Sequence, residues 1–283
     1  NPIGIDCCGE VVDVPEGVGF EVGDLVWGSG GTFVGATGSL AEYCAVLPKH
    51  ISKVPQGGDP LTYGSMPVAL GTIVTGYERA GFLSEAEAKG KTAVIIGASG
   101  GCGSFGVQYA ANTLKFERIY AVCSAKNADF VKSLGATDVI DYNQGPLSTL
   151  IPEQSCDHVF DCVTNHAADD PDYSSEAQKL LKVGTGGPRD KGGFLTQLGR
   201  KHLVGIIFCL LWPKWLGGMP HQFYDMFITQ LNPGLMAKVT DTISSGEVKV
   251  GKLVKKDFSE EGCRQAFKDL KSKRTVGKIV VEL

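Results

Sequence analysis

The residues best placed to do chemistry form a glycine-rich turn in mid-chain, Gly97-Ala98-Ser99-Gly100-Gly101-Cys102-Gly103. It follows the apolar run Thr92-Ala93-Val94-Ile95-Ile96 and leads into a helix-like stretch, Ser104 to Lys115. A strand, a glycine turn and a helix in that order suit the phosphates of a dinucleotide. Small residues let the backbone approach a pyrophosphate, and the start of the helix offers unpaired N–H groups and the positive end of its dipole. Set against the G-x-G-x-x-G pattern, the turn reads Ala98-x-Gly100-x-x-Gly103, with Gly97 just ahead of the substituted first position. A glycine-rich turn that binds nothing is the competing reading of the same residues.

The next strand-like run, Arg118 to Cys123, bears on which dinucleotide would bind. An NAD site usually carries Asp or Glu at the end of this strand, bonded to the ribose hydroxyls. Here the chain continues Ser124-Ala125-Lys126-Asn127, with no acid. A carboxylate would repel a 2′-phosphate, whereas a hydroxyl, an ammonium and an amide can hold one. The expected cofactor is therefore NADP(H), with Ser124 and Lys126 as phosphate contacts. The alternative makes Lys126 a solvated surface lysine and Asn127 the cap of the next helix, Ala128 to Leu134.

The turn also fits G-x-S-x-G, the nucleophile elbow of a hydrolase, as Gly97-x-Ser99-x-Gly101. That chemistry needs an acid and then a histidine downstream, for which Asp161 and His202 or His221 are available. Ser99 is read instead as a small residue facing the phosphates.

These residues need a scaffold, and its pattern is legible around them. The 283 residues exceed one average domain. Strand-like runs at 92–96, 118–123, 138–141, 157–163 and 193–198 alternate with helix-like stretches, which predicts a parallel sheet with right-handed crossovers over residues 67–216. Residues 1–66 carry short alternating runs between glycines (Gly9 to Val14, Asp24 to Trp27, Leu40 to Val46), the pattern of a small antiparallel domain. Residues 217–283 read as a helix-like stretch from Gln222 to Gly246, a strand Val250 to Val254, a helix Ser259 to Lys271 with a capping sequence, and a last strand Gly277 to Glu282.

A net charge of −4 and the lack of any basic block argue against nucleic acid as a partner. Nine cysteines, an odd number without a C-x-x-C, point to a reducing intracellular compartment, the cytoplasm ahead of an organelle. The opening residues Asn1-Pro2-Ile3-Gly4 resemble neither a signal nor a transit peptide. The most apolar stretch, Leu203 to Leu211, runs on into Trp212-Pro213-Lys214-Trp215 and is too short to span a bilayer. It reads as a buried segment or hydrophobic flap, with membrane contact the minority reading.

In order and spacing these motifs resemble the medium-chain dehydrogenase/reductases, and within them the zinc-free quinone oxidoreductase branch related to zeta-crystallin. The resemblance rests on Pro2-x-x-x-Asp6-x-x-Gly9-x-Val11, Gly23-Asp24-x-Val26, Gly38 to Tyr43, Thr75-Gly76-Tyr77, the glycine turn, Leu134 to Tyr142, Phe160-Asp161-Cys162 and Gly277 to Val280. It implies an α/β fold: a Rossmann doubly wound parallel sheet plus a GroES-like, mostly antiparallel β domain assembled from residues 1–66 and 217–283. The chain is expected to lack the N-terminal part of that domain.

By the same resemblance Thr75 lines the nicotinamide pocket, and Gly100, Gly101, Cys102 and Gly103 meet the pyrophosphate. Ser124, Lys126 and Tyr142 surround the adenosine end, while Cys162, Val163, Leu198 and Gly199 end strands on the cofactor side. Lys278 either reaches the cofactor or is a surface lysine. Zinc-dependent relatives carry Gly-His-Glu-x-x-Gly where this chain has Gly4-Ile5-Asp6-Cys7-Cys8-Gly9, and a cysteine where it has Gly71. No metal is expected, because zinc needs three or four placed donors. The implied activity is enoyl reductase-like: hydride transfer from NADPH to a quinone or α,β-unsaturated carbonyl. No residue stands out as the catalytic acid or base. A non-catalytic NADP-binding or interaction protein of the same fold is the alternative, and a homo-oligomer is implied by resemblance alone.

Overall fold

The computed structural model describes residues 3–30, 38–163, 171–184, 192–197, 223–225 and 231–283. They fall into two compact units. One is made of Asn1–Thr75, Gly100–Phe105 and Thr229–Leu283, the other of Gly76–Ser99 and Gly106–Ile228.

The first unit opens with three antiparallel strands, β1 (Asp6–Glu10), β2 (Leu25–Ser29) and β3 (Ile51–Lys53), in the order β1-β2-β3. Cys7 lies opposite Gly28, and Trp27 opposite Ser52. Trp27 is fully buried and meets the Tyr63 ring edge-on, with centroids 5.0 Å apart. Tyr63 is delivered by the helix Pro60–Ser65, which begins where the Asp59 carboxylate accepts the Thr62 N–H at 2.9 Å and proline takes the first position. The run Leu40 to Val46 alternates like a strand but forms none; Tyr43 is 73% exposed. Alternation makes a strand only where a neighbour completes the ladder and one face is covered.

The second unit is built on parallel strands: β4 (Thr92–Ile96), β5 (Arg118–Cys123), β6 (Asp138–Asp141), β7 (His158–Asp161), β8 (Phe194–Gln197) and β9 (Phe223–Asp225). Among the described residues their order is β6-β5-β4-β7-β8-β9, and every pairing is parallel. The central strands are near-continuous apolar runs because helices cover both faces. Val94, Ile96, Val122, Val159 and Leu195 pack into one buried cluster. Strand β9 lies within the stretch 222–246 that reads as helix-like. The helix there starts only at Pro233 (Pro233–Ser244), where proline fixes the first turn and the Asn232 side chain accepts the Leu235 N–H at 3.1 Å.

Gly76, in the helix Pro67–Arg79, touches the central strands of this unit. A Cβ there would lie 2.5 Å from Cε2 and 2.6 Å from Cζ of the buried Phe160 ring. Alanine favours a helix over glycine by about 1 kcal/mol, but forcing a methyl into a filled core costs about 1–3 kcal/mol or more. Gly76→Ala is therefore expected to destabilise the protein, read as a lower urea midpoint; a higher midpoint refutes the packing argument.

The chain ends in the first unit with β10 (Leu253–Asp257), the helix Glu260–Lys271 and β11 (Lys278–Glu282), the two strands pairing in parallel. Ser259 caps the helix, its hydroxyl accepting the Gly262 N–H at 3.0 Å. No helix among the described residues is long and apolar enough to cross a membrane.

Candidate functional site

The strand order of the second unit reverses between β4 and β7. Their ends lie side by side, with Ile96 paired to Asp161. In open α/β sheets, ligands bind in the crevice beyond the carboxyl ends of the strands at such a reversal. The glycine turn leaves β4 at this point. Gly97 takes a left-handed φ of +78°, and the N–H groups of Gly97 and Ala98 donate to Val122 C=O at 3.1 and 3.0 Å. A Cβ on Gly97 would sit 2.7 Å from Val163 Cγ2. The loop that brings Val163 there is shaped by the buried Asp161. One carboxylate oxygen accepts the Val163 N–H and the other accepts Gln197 Nε2, both at 2.9 Å. The turn and the Cys162-Val163 segment thus meet at the ends of β4 and β7.

Beyond β5, Ser124 and Asn127 are half-buried and Lys126 is exposed. Asn127 stands at the cap position of the helix Ala128–Ser133 but makes no side-chain cap bond. Its amide instead donates to Ser99 Oγ at 3.0 Å and Ser124 Oγ at 3.3 Å. Tyr142, following β6, is 45% exposed. Leu198 and Gly199 lie outside the described residues, as does the apolar run 203–215.

The helix Gly101–Gln108, of which Gly101–Phe105 belong to the first unit, begins three residues before the expected Ser104, so Gly101 itself supplies the free N–H end. Gly103 is buried; Gly100 and Cys102 are half-buried. Burial pushes the Cys102 thiol up, which keeps it a small neutral group. Lys278 stands against Gly101, whose added Cβ would lie 3.1 Å from Lys278 Cδ. Its ammonium is 3.6 Å from Asp6 Oδ2, and its side chain is only 18% exposed. It is therefore not a solvated surface lysine. Asp6 Oδ1 accepts the Val68 N–H at 2.8 Å. Burial raises the Asp6 carboxyl above its usual range while Lys278 and the Val68 N–H pull it back. Thr75 is half-buried in the helix Pro67–Arg79.

These residues fit a dinucleotide: glycines at the close approaches, a free helix N-terminus, hydroxyls and an ammonium, and no acid after β5. They fit zinc poorly. Ile5 offers no donor, Gly71 offers no side chain, Asp6 is held by Val68 and Lys278, and the Cys7 thiol donates to Gly28 C=O at 3.7 Å. Among the described residues no three His, Cys, Asp or Glu side chains form a set that could hold a metal ion. The hydrolase reading is weakened too, since the Ser99 hydroxyl accepts an amide proton and Asp161 holds Gln197 and a loop N–H. The bridging role of Asn127 and the Asp6–Lys278 pair escaped sequence reasoning. Asn127, three residues after Ser124, has the spacing of a cap, and its bond to Ser99 depends on how β4 and β5 pair.

The profile of a family described as zinc-binding dehydrogenase matches residues 134–281, just over half of the chain. The chain is 29% identical over 283 residues to a 2-methylene-furan-3-one reductase of Solanum lycopersicum, covering 98% of this chain and 62% of that protein. It is 28% identical over 244 residues to an NADPH-dependent alkenal/one oxidoreductase, chloroplastic, of Arabidopsis thaliana, covering 86% of this chain and 53% of that one. The chain thus spans roughly half to two thirds of the length of these relatives. Among solved structures, a quinone oxidoreductase from Coxiella burnetii superposes with a TM-score of 0.77 at 20% identity, over 99% of this chain and 79% of that one.

Proposed function

The chain belongs to the zinc-binding dehydrogenase family, and from that premise we propose that it is an NADPH-dependent reductase of a quinone or α,β-unsaturated carbonyl, working without zinc. The observation that carries the reading is the acid-free end of β5, where Ser124 and Ser99 are joined through one amide beside the glycine turn. The activities for which the tomato and Arabidopsis relatives are named, 2-methylene-furan-3-one reductase and NADPH-dependent alkenal/one oxidoreductase, support it.

When bound, the reduced nicotinamide supplies the hydride. The residues of this chain bind and orient. Gly100, Gly101, Cys102 and Gly103 admit the pyrophosphate to the start of the helix Gly101–Gln108, and Lys278 lends its charge beside Gly101. Ser99 faces the phosphates; Ser124, Lys126 and Tyr142 hold the adenosine side, Cys162 and Val163 follow β7 on the cofactor side, and Thr75 lines the nicotinamide pocket. An acceptor of this class is already electrophilic, so positioning it against the cofactor carries most of the catalysis. The donor set around Ile5 and Asp6 supports chemistry without a Lewis acid.

Loss of NADPH absorbance, followed with a panel of quinones and enones and with NADH as the comparison, tests the reading. Turnover with NADPH preferred supports it. Tight NADPH binding without turnover favours a non-catalytic NADP-binding protein, and failure to bind NADPH refutes both.

A further inference from the structure

The side-chain amide of Asn127 has two hydrogens, and the structure uses both. One goes to Ser99 Oγ in the turn after β4, the other to Ser124 Oγ directly after β5. The backbone N–H of Asn127 donates to Ser124 C=O at 2.9 Å, which closes a tight turn and fixes where the amide stands. The residue sits at a helix start yet does not cap it, so the local role of asparagine there has been given up for these two bonds. A serine hydroxyl has one proton to donate and two lone pairs to accept with. Both serines accept from Asn127, so each keeps its proton for something else. Two half-buried hydroxyls with their protons released, beside a glycine turn and a strand end without an acid, suit anionic oxygens.

We propose that Asn127 is the positioning residue of the nucleotide site, turning the hydroxyls of Ser99 and Ser124 into donors toward the cofactor phosphates and so setting the preference for NADPH over NADH. The proposal rests on the NADPH reading above. Ser99 lies on the pyrophosphate side and serves either nucleotide. Ser124 lies where only NADPH carries a 2′-phosphate. Loss of Asn127 must therefore weaken both nucleotides, NADPH more. An aspartate in its place has the same shape but no proton to give. It would take the protons of both hydroxyls and add a negative charge, reversing their direction toward phosphate. An amide in the opposite orientation, with its oxygen toward the serines, would already be taking those protons, and aspartate would then change little beyond its charge.

The test is titration of NADPH and of NADH into the wild-type protein and the variants Asn127→Asp, Asn127→Leu, Ser124→Ala and the double variant Asn127→Leu/Ser124→Ala, read by nucleotide fluorescence. A hydrogen bond to a charged group is worth roughly tenfold in affinity. Asn127→Leu is expected to raise the NADPH Kd roughly tenfold and the NADH Kd by less, and Asn127→Asp to raise the NADPH Kd further. In the double variant the loss for NADPH is expected to fall short of the product of the single losses, because Asn127 acts through Ser124. A merely structural role would move both nucleotides alike. If Asn127→Leu fails to fold, Asn127→Ala, which also removes both donors without adding a charge, takes its place in the test. An unchanged NADPH-to-NADH ratio in the folded variants overturns this proposal and leaves the NADPH reading standing. A wild-type protein that binds no NADPH overturns both.

Discussion

Acidification is expected to cost the protein about 1.4 kcal/mol of stability for each pH unit between about 6.5 and 3 on account of one residue, His158. Its ring is fully buried on β7, ringed by Tyr77, Phe82, Phe160 and Phe194 at centroid distances of 4.9, 5.5, 5.7 and 6.2 Å. Nε2 lies 3.0 Å from Thr196 Oγ1, and Nδ1 has no partner. An imidazolium needs two acceptors and would have one, within hydrocarbon. Burial accordingly lowers the His158 pKa from 6.5 to about 3. The sign follows from proton counting. Above pH 6.5 neither folded nor unfolded His158 is protonated, and the full stability is present. Below it the unfolded chain takes up a proton that the native state refuses, so stability falls with pH until about 3, where the native ring charges as well. Carboxylates whose pKa is lowered in the native state act in a lower window. Glu176, drawn down to about 2 by Lys179 and Ser148, loses its contribution only as the pH drops below about 4.5. Urea unfolding across this range measures the slope. In His158→Gln, which retains a polar atom for Thr196 but cannot charge, the slope between about pH 6.5 and 4.5 is expected to flatten. The same slope in variant and wild type would mean that another group carries the effect.

Gly97→Ala is expected to destabilise the protein by about 2–4 kcal/mol and to weaken NADPH binding at least about tenfold. Two costs combine. The left-handed φ of +78° disfavours any residue with a Cβ by about 1–2 kcal/mol. The new methyl also lies 2.7 Å from Val163 Cγ2, which cannot retreat freely because Asp161 anchors the Val163 N–H. Relief by moving the turn breaks the bonds from Gly97 and Ala98 to Val122 C=O, and with them the aim of Ser99 and Gly100. Urea unfolding measures the first effect and NADPH titration the second. A variant with wild-type stability would show that the turn has slack. A destabilised variant with intact NADPH affinity would place the phosphates elsewhere.

Much of this was readable along the chain. The runs 92–96 and 118–123 coincide with β4 and β5, because strands buried on both faces must be continuous apolar segments between turn residues, and 138–141 coincides with the half-buried β6 at the end of the strand order. The glycine turn, the acid-free end of β5 and the Ser259 cap are likewise local: each depends on residues a few positions apart. What failed locally depended on partners. Leu40 to Val46 alternates but has no neighbouring strand among the described residues, whereas the short β9 exists because Phe194 to Thr196 on β8 pair with it. Strand order, and with it the reversal between β4 and β7, arises from pairing across long sequence separations that no window contains. The same holds for the working contacts of the candidate site. Asn127 meets Ser99 across 28 residues, and Lys278 on β11 meets Asp6 on β1 from opposite ends of the chain. The sequence alone determined which residue types could receive a dinucleotide. Tertiary structure decided which of them are held in place, since a hydrogen bond between distant residues forms only after the backbone between them has been fixed by packing.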